Sequence, residues 1–473
     1  MIASKPSIDL QVLDGAVALD RPTPVDNRWP ASLRAGAWVF WAMLAANGAF
    51  IVWMWLHGGG ISGVHGRPEA LTSLGRITGL LGVYLALVQV LMLSRLRPLE
   101  RYIGFDRLTS WHRVNGKVCV SLIVAHAVLI TFGYALAEKI SIPSELSRLF
   151  KSYPGMVTAT IGTVLMVAVV ISSLVIVRKR MSYESWHFVH FLVYAGIALG
   201  YIHQIPTGNE FAAHPVQADY WISLYVVTLA LLVVYRVALP IRDFFRYELT
   251  VKSVAPATDA VTSIEVGGRD LQRLRATAGQ FMIWRFLTRG RWWQAHPFSL
   301  SAMPDGHTLR LTAKAVGDFT DELTRIKPGT RVMVEGPFGV LTSAAMRTDK
   351  ALLIAGGIGI TPLRALFEEM AGSTDVVLIY RAISKREFAL RDELEEIAER
   401  MDATLHLLPG DHRRREGAKL LSAGSLRSLV GDIAERDVYL CGPPTMMKQV
   451  AASLAELKVP EDQIHSERFA LAA

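Results

Sequence analysis

The sequence predicts a multidomain membrane protein: an all-α bundle of six transmembrane helices, a small antiparallel β-barrel, then an alternating α/β domain. Three observations predict it. Residues 1–240 hold six long apolar runs. Residues 245–345 read as short alternating strands broken by glycine and proline turns. Residues 349–473 alternate buried-strand runs with helical patterns. The 473 residues are 51% hydrophobic and only 19% charged, against about 25% charged in soluble domains. Mean hydropathy is +0.30. A disordered, polar or single-domain soluble chain is excluded.

The membrane bundle is expected over residues 36–243, after a cytosolic tail at 1–35. Its apolar runs are 37–56, 77–94, 118–137, 155–177, 185–206 and 220–235. Most approach the ~20 residues that cross a hydrocarbon core. The net charge of +8 is not gathered into a stripe for nucleic acid. Much of it lies in short loops: Arg95, Arg97, Arg101, Arg107 and Arg113; then Arg178-Lys-Arg180; then Arg236, Arg242 and Arg246. The 204–219 loop carries no Lys or Arg. The positive-inside rule then puts both termini in the cytoplasm. The only cysteines are Cys119 and Cys441, too few for a disulfide framework or a Cys-based cluster.

Histidines are the informative membrane residues, because an ionisable group there is expensive. His112 and His126 bracket the third span, His190 and His203 the fifth. Fourteen residues rise about 21 Å and turn about 1400°, so His112 and His126 share a face. Thirteen residues match that depth but leave His190 and His203 about 220° apart. Facing pairs would then require an overwound turn or kink near Gly196 and Gly200. Both spans run outward, so His112 should face His190 and His126 should face His203. Two stacked bis-histidine pairs suit two b-type hemes. The alternative is four polar residues satisfied by neighbouring helices. His187 competes with His190, but its 16-residue spacing to His203 breaks the depth match.

The soluble half divides into residues 244–345, a small β-barrel, and 346–473, a Rossmann-like α/β domain. In the first, His296-Pro-Phe-Ser299 offers an aromatic and a hydroxyl on one extended segment, suited to a flavin ring. Ala313-Lys-Ala-Val-Gly-Asp-Phe-Thr320 offers a glycine turn into a helix, where backbone N–H groups and Lys314 suit a pyrophosphate. In the second, the strand Ala351–Ala355 runs into Gly356-Gly-Ile-Gly-Ile-Thr-Pro362, a phosphate-type turn without the full dinucleotide fingerprint. The next strand is followed by Arg381, Ser384, Lys385 and Arg386 with no acid before Glu387. Cations there suit a 2′-phosphate; a solvated basic loop is the alternative. A third strand ends in Cys441-Gly-Pro-Pro444, which places Cys441 at the nicotinamide pocket or makes it an ordinary buried cysteine.

Together these motifs resemble the ferric reductase and NADPH oxidase family over about residues 36–473. The His-Pro-Phe-Ser, Val-Gly-Asp-Phe-Thr, Gly336-Pro-Phe-Gly339, Gly-Gly-Ile-Gly-Ile-Thr-Pro and Cys-Gly-Pro-Pro segments stand in that family's order. The histidine spacings also match its heme ligands. The resemblance implies that His296, Pro297, Phe298 and Ser299 hold the flavin ring. Lys314, Gly317 and Thr320 would serve its pyrophosphate. Gly356, Gly357, Gly359, Thr361 and Pro362 would bind the NADPH phosphates, and Cys441, Gly442 and Pro443 would flank the nicotinamide. Phe469 is similar to a C-terminal aromatic that gates the flavin. Arg76 matches an arginine beside the outer heme, or is a plain interfacial anchor. Ile130 departs from the oxidases, which tend to carry histidine there. The implied function is transmembrane electron transfer from NADPH through FAD and two hemes, in a bacterial inner membrane. Oxygen is the leading acceptor and ferric chelate the second. Relay to a periplasmic protein is a third possibility; no protein partner is required. No side chain need serve as general acid or base.

Overall fold

The computed structural model describes residues 31–467, except 179, 182, 213, 412–416 and 418. Most of the expected tail and Phe469 lie outside the described residues. The first helix, α1 (Ala31–His57), begins inside the expected tail. It is followed by α2 (Arg67–Met92), α3 (Arg97–Ile103) and α4 (Phe105–Glu138). Then come α5 (Ile142–Ser152), α6 (Met156–Ser172) and α7 (Val175–Arg178). The bundle ends with α8 (Tyr183–Thr207), α9 (Asn209–Ala212), α10 (Pro215–Val233) and α11 (Leu239–Tyr247).

Among the described residues, five stretches are long and apolar enough to cross a membrane: 38–57, 67–92, 107–138, 185–207 and 215–247. A sixth forms only if α5 and α6, bent by 114°, count as one. The break falls at Gly155, whose φ of +78° suits glycine and ends helical winding. α10 passes into α11 through a π-turn at Val234–Ala238. Pro240 explains it, because proline has no N–H to return to the carbonyl of Arg236.

Glycines set which helices touch. A Cβ on Gly82 would lie 3.2 Å from the Cys119 carbonyl of α4, and one on Gly75 2.9 Å from Ile130. A Cβ on Gly162 of α6 would lie 2.6 Å from the Gly196 carbonyl of α8. Small residues thus draw α2 onto α4 and α6 onto α8, as they do where lipid supplies no hydrophobic drive. α4 and α8, the histidine helices, are left to meet chiefly through side chains.

The first soluble domain is not one closed barrel. Among the described residues it is two three-stranded antiparallel sheets. One has the order β1 (Thr250–Thr258), β2 (Val261–Gly267), β5 (Thr308–Lys314). The other has the order β4 (His296–Ser299), β3 (Phe281–Phe286), β6 (Val332–Phe338). Single bridges, Thr250 to Arg331 and Leu300 to Leu311, join their corners. The four-residue β4 is too short, and β1 too bulged, to carry a continuous ladder round. Trp284, Met282, Ile264 and Leu311 fill the space between the sheets and are fully buried.

The second soluble domain is a parallel sheet in the order β9 (Thr404–Pro409), β8 (Asp375–Ala382), β7 (Lys350–Gly356), β10 (Asp437–Cys441), β11 (Ile464–Ser466). Chain order reverses between β7 and β10. The crevice beyond the C-terminal ends of those two strands is where such sheets bind ligands.

Candidate functional site: two histidine pairs below a flavin and nucleotide module

α4 and α8 bring the four histidines together in two pairs. The His112 and His190 rings stand 6.0 Å apart between centres, and those of His126 and His203 6.3 Å apart. His187 instead packs against Phe191. α8 is helical throughout from Tyr183 to Thr207, and both histidines on it still meet their partners on α4. Side chains long enough to meet across a 6 Å gap tolerate different azimuths on α8.

Backbone groups orient the rings. His126 Nδ1 lies 2.8 Å from the Gly75 carbonyl and His112 Nδ1 3.2 Å from that of Gln89. Nδ1–H donation to a carbonyl leaves Nε2 as the metal-binding lone pair. Two imidazoles on one iron, with metal–nitrogen bonds of about 2.0–2.1 Å, would have centres about 6.4 Å apart. Both pairs fit that span. Gly79 makes the approach possible, since a Cβ there would lie 2.5 Å from His126 Nδ1. Gln89 and Asn115 complete the inner site: Asn115 donates to Gln89 Oε1 at 2.8 Å, and Gln89 donates to the His112 carbonyl at 2.7 Å. Sequence reasoning missed these two and Gly79. The Gly75-xxx-Gly79 spacing was the available signal.

Arg76 lies one turn from Gly79 but is already engaged. It donates to Glu210 Oε1 at 2.7 Å and to the Gly58 carbonyl at 2.7 Å. Glu210, a buried acid in α9, also went unnoticed in the sequence.

The flavin motif is β4, paired with β3 so that Ser299 faces Phe281. Trp284 fixes it by donating to the Phe298 carbonyl at 3.0 Å. Phe319 stacks on His296 with ring centres 3.8 Å apart. It sits in α12 (Asp318–Glu322), inside the motif expected for pyrophosphate, yet was not singled out there. Thr320 Oγ1 accepts from the backbone N–H of Val316 and of Gly317, at 2.9 and 3.1 Å. Thr320 thus shapes the loop, and the Gly317 N–H is taken. Lys314 Nζ lies 3.9 Å from Glu387, across the domain cleft.

At the β7–β10 crevice the glycines divide the work. A Cβ on Gly359 would lie 2.5 Å from the Cys441 carbonyl, and one on Gly356 2.3 Å from Met446 Sδ. These two, with Gly442, press the two turns together. Gly357 has φ +54° and nothing within 4 Å of a would-be Cβ, so its backbone faces open space. Thr361 and Pro362 are buried at the start of α13 (Ile360–Met370), and Thr361 donates to the Ile358 carbonyl at 3.1 Å. Arg381 is buried and donates to the Gly417 carbonyl at 2.7 Å, whereas Lys385 is exposed. Pro443 precedes the helix that carries Met446, and Cys441 is buried at the end of β10. Glu467 reaches the end of the flavin sheet: a Cβ on Gly339 would lie 3.0 Å from its carboxylate.

A helical membrane bundle carrying paired histidines, fused to a two-domain reductase module, defines a membrane-embedded oxidoreductase. Comparison with known families agrees. Residues 78–201 match the model of a ferric reductase like transmembrane component, 247–342 an FAD-binding domain, and 353–452 an oxidoreductase NAD-binding domain. The chain therefore has the domain architecture of the ferric reductase and NADPH oxidase family.

Similar curated proteins include the ferredoxin reductase component of 3-ketosteroid-9-alpha-monooxygenase from Mycobacterium tuberculosis, 30% identical over 47% of this chain and 65% of its own length. A flavohemoprotein of Halalkalibacterium halodurans is 29% identical over 36% of this chain and 46% of its own. The matches thus span about half to two thirds of those relatives. Among solved structures, a ferredoxin NADP+ reductase from Neisseria gonorrhoeae with bound FAD and NADP is 19% identical, with TM-score 0.40 over 47% of this chain and 98% of its own.

Proposed function

We propose that the chain carries electrons from cytosolic NADPH, through FAD and two b-type hemes, to an acceptor on the far side of the bacterial inner membrane. Oxygen, giving superoxide, is the leading acceptor. The observation that carries this reading is the pair of facing histidine couples, 6.0 and 6.3 Å between ring centres, stacked through the bundle. Bound FAD supplies hydride acceptance and single-electron release, and the hemes supply one-electron steps across the bilayer.

The chain's own residues bind, space and tune. His112 with His190, and His126 with His203, would each hold one iron. His296, Pro297, Phe298 and Ser299 would hold the flavin ring, with Phe319 bracing His296. Thr320 fixes the loop at Gly317, and Lys314 adds positive charge. Gly357 offers open backbone to phosphate. Lys385 meets a 2′-phosphate more readily than Arg381, whose guanidinium is spent on Gly417. Cys441 and Gly442 border the nicotinamide end, and Phe469 would cover the flavin until the nucleotide displaces it. Arg76, neutralised by Glu210, keeps a polar group beside the outer pair.

Ile130 favours the second reading, ferric-chelate reduction, since it puts an apolar side chain one turn beyond His126. One experiment separates the acceptors. Purified protein is given FAD and NADPH anaerobically, the heme Soret and α bands are followed, and air is then admitted with a dismutase control. Heme reduction followed by dismutase-sensitive superoxide at sustained turnover supports oxygen. Slow reoxidation in air, with fast oxidation by ferric chelate, moves the acceptor to iron. Absence of NADPH-driven heme reduction contradicts the pathway.

A further inference from the structure

The loop 287–295, between β3 and β4, carries Arg289-Gly-Arg-Trp-Trp293. Trp292 and Trp293 are 60% and 49% exposed, although tryptophan is the largest apolar surface a protein can bury. Gly290, at φ +86°, turns the loop outward with open space around it. Within the loop Arg291 pairs with Glu322 of α12 at 2.6 Å, and each foot reaches a membrane helix through the sheet residues it packs on. At one foot, the Leu287 N–H donates to the Arg331 carbonyl at 2.9 Å, and the Arg331 guanidinium lies 4.2 Å from the Phe244 ring of α11. At the other foot, Ala295 packs on Phe281, Ile283 and Phe338. Phe105, the first residue of membrane helix α4, packs on the same cluster. Trp292 is three residues from Ala295, a reach of about 10 Å at most.

The tryptophans are therefore held beside the ends of two membrane helices. α11 shows a matching pattern there, with exposed Ile241 and Phe245 next to Arg242 and Arg246. Tryptophan with arginine is the composition that settles at the headgroup level, where a ring can be half buried and a cation can meet phosphate.

We propose that the Arg289–Trp293 loop is a lipid contact. In this assignment Trp292 and Trp293 seat in the interface of the bilayer that the helices cross, and Arg289 meets lipid phosphate. The reductase module then rests on the membrane surface as well as on the helices. This does not depend on the electron acceptor or on the hemes.

The test uses the full-length protein in nanodiscs containing one third phosphatidylglycerol. A nitroxide is placed by Trp292→Cys and, in a separate sample, by Glu396→Cys on α14 (Arg391–Met401) of the nucleotide domain. Both native cysteines are buried. Spin relaxation by oxygen, which partitions into lipid, is compared with relaxation by a water-soluble nickel chelate. FAD binding checks the fold of each sample. The expected result is an oxygen-to-nickel ratio at least threefold higher at position 292 than at 396. Equal ratios at the two positions would overturn the assignment, as would a label at 292 shielded from both reagents, which means that protein or flavin covers it.

Discussion

Phe105 meets Phe281 edge-on, with ring centres 6.0 Å apart. Phe105 opens α4, the helix of His112, and Phe281 is paired in the sheet with Ser299 of the flavin motif. One aromatic contact thus joins the flavin sheet to the helix that carries the inner histidine pair. Such a pair contributes about 0.5–1.5 kcal/mol beyond its buried area. Phe105→Ala should loosen the docking by about 2–3 kcal/mol in all. Anaerobic stopped-flow spectroscopy should show flavin reduction by NADPH unchanged and heme reduction several-fold slower.

The same junction holds a pH-sensitive acid. Glu100 of α3 is buried with neither carboxylate oxygen hydrogen-bonded. Burial pushes its pKa up to about 8; Arg95 and Arg236 pull it down and Glu335 pushes it up. Glu335 itself pairs with Arg95 across the junction. The folded chain therefore holds this proton more tightly than the unfolded chain does. Stability from this group is complete below about pH 4.5, declines as pH rises, and is lost above about pH 8. Thermal midpoints between pH 6 and 9 should fall for the native chain, and Glu100→Gln should flatten that fall.

Two neighbouring glycines should fail differently. Gly359→Ala drives a methyl into the Cys441 carbonyl and must separate the β7 and β10 turns. It should cost about 1–3 kcal/mol of stability and at least tenfold in NADP+ affinity. Gly357→Ala meets no atom within 4 Å but keeps a left-handed φ, at about 1–2 kcal/mol. Its loss of affinity should exceed what its small change in melting temperature suggests. Calorimetric titration with NADP+ alongside thermal melts distinguishes the two.

Gly79→Val places a side chain where the His126 ring stands. The ring must leave the Gly75 carbonyl that orients it. Heme content should fall from two to one per chain, with NADPH-driven flavin reduction intact. A hemochrome assay reads the first and flavin bleaching the second.

Much of this was legible in the sequence because it rests on periodicity and spacing. The apolar runs, the histidine depths and the glycine-rich turns all follow from local chain geometry. What was not legible depends on neighbours distant in sequence. The apolar run 155–177 gave the fourth span, but hydropathy alone could not show that α5 precedes it at 114° across the turn at Gly155. Barrel closure failed at β4, where only the registered ladder shows how few residues pair. Thr320 and Arg381 carry the side chains expected at a phosphate site, yet their hydrogen bonds go to Gly317 and Gly417. Gln89 and Glu210 look like ordinary polar residues until the fold sets them beside His112 and Arg76.

The most direct measurement counts hemes. Hemochrome analysis of purified native chain and of His203→Ala should give two hemes and one, with low-spin bis-histidine spectra and the remaining heme still reduced by NADPH through FAD. No heme in a folded, flavin-binding native sample, or two hemes retained without His203, would contradict the paired-histidine path.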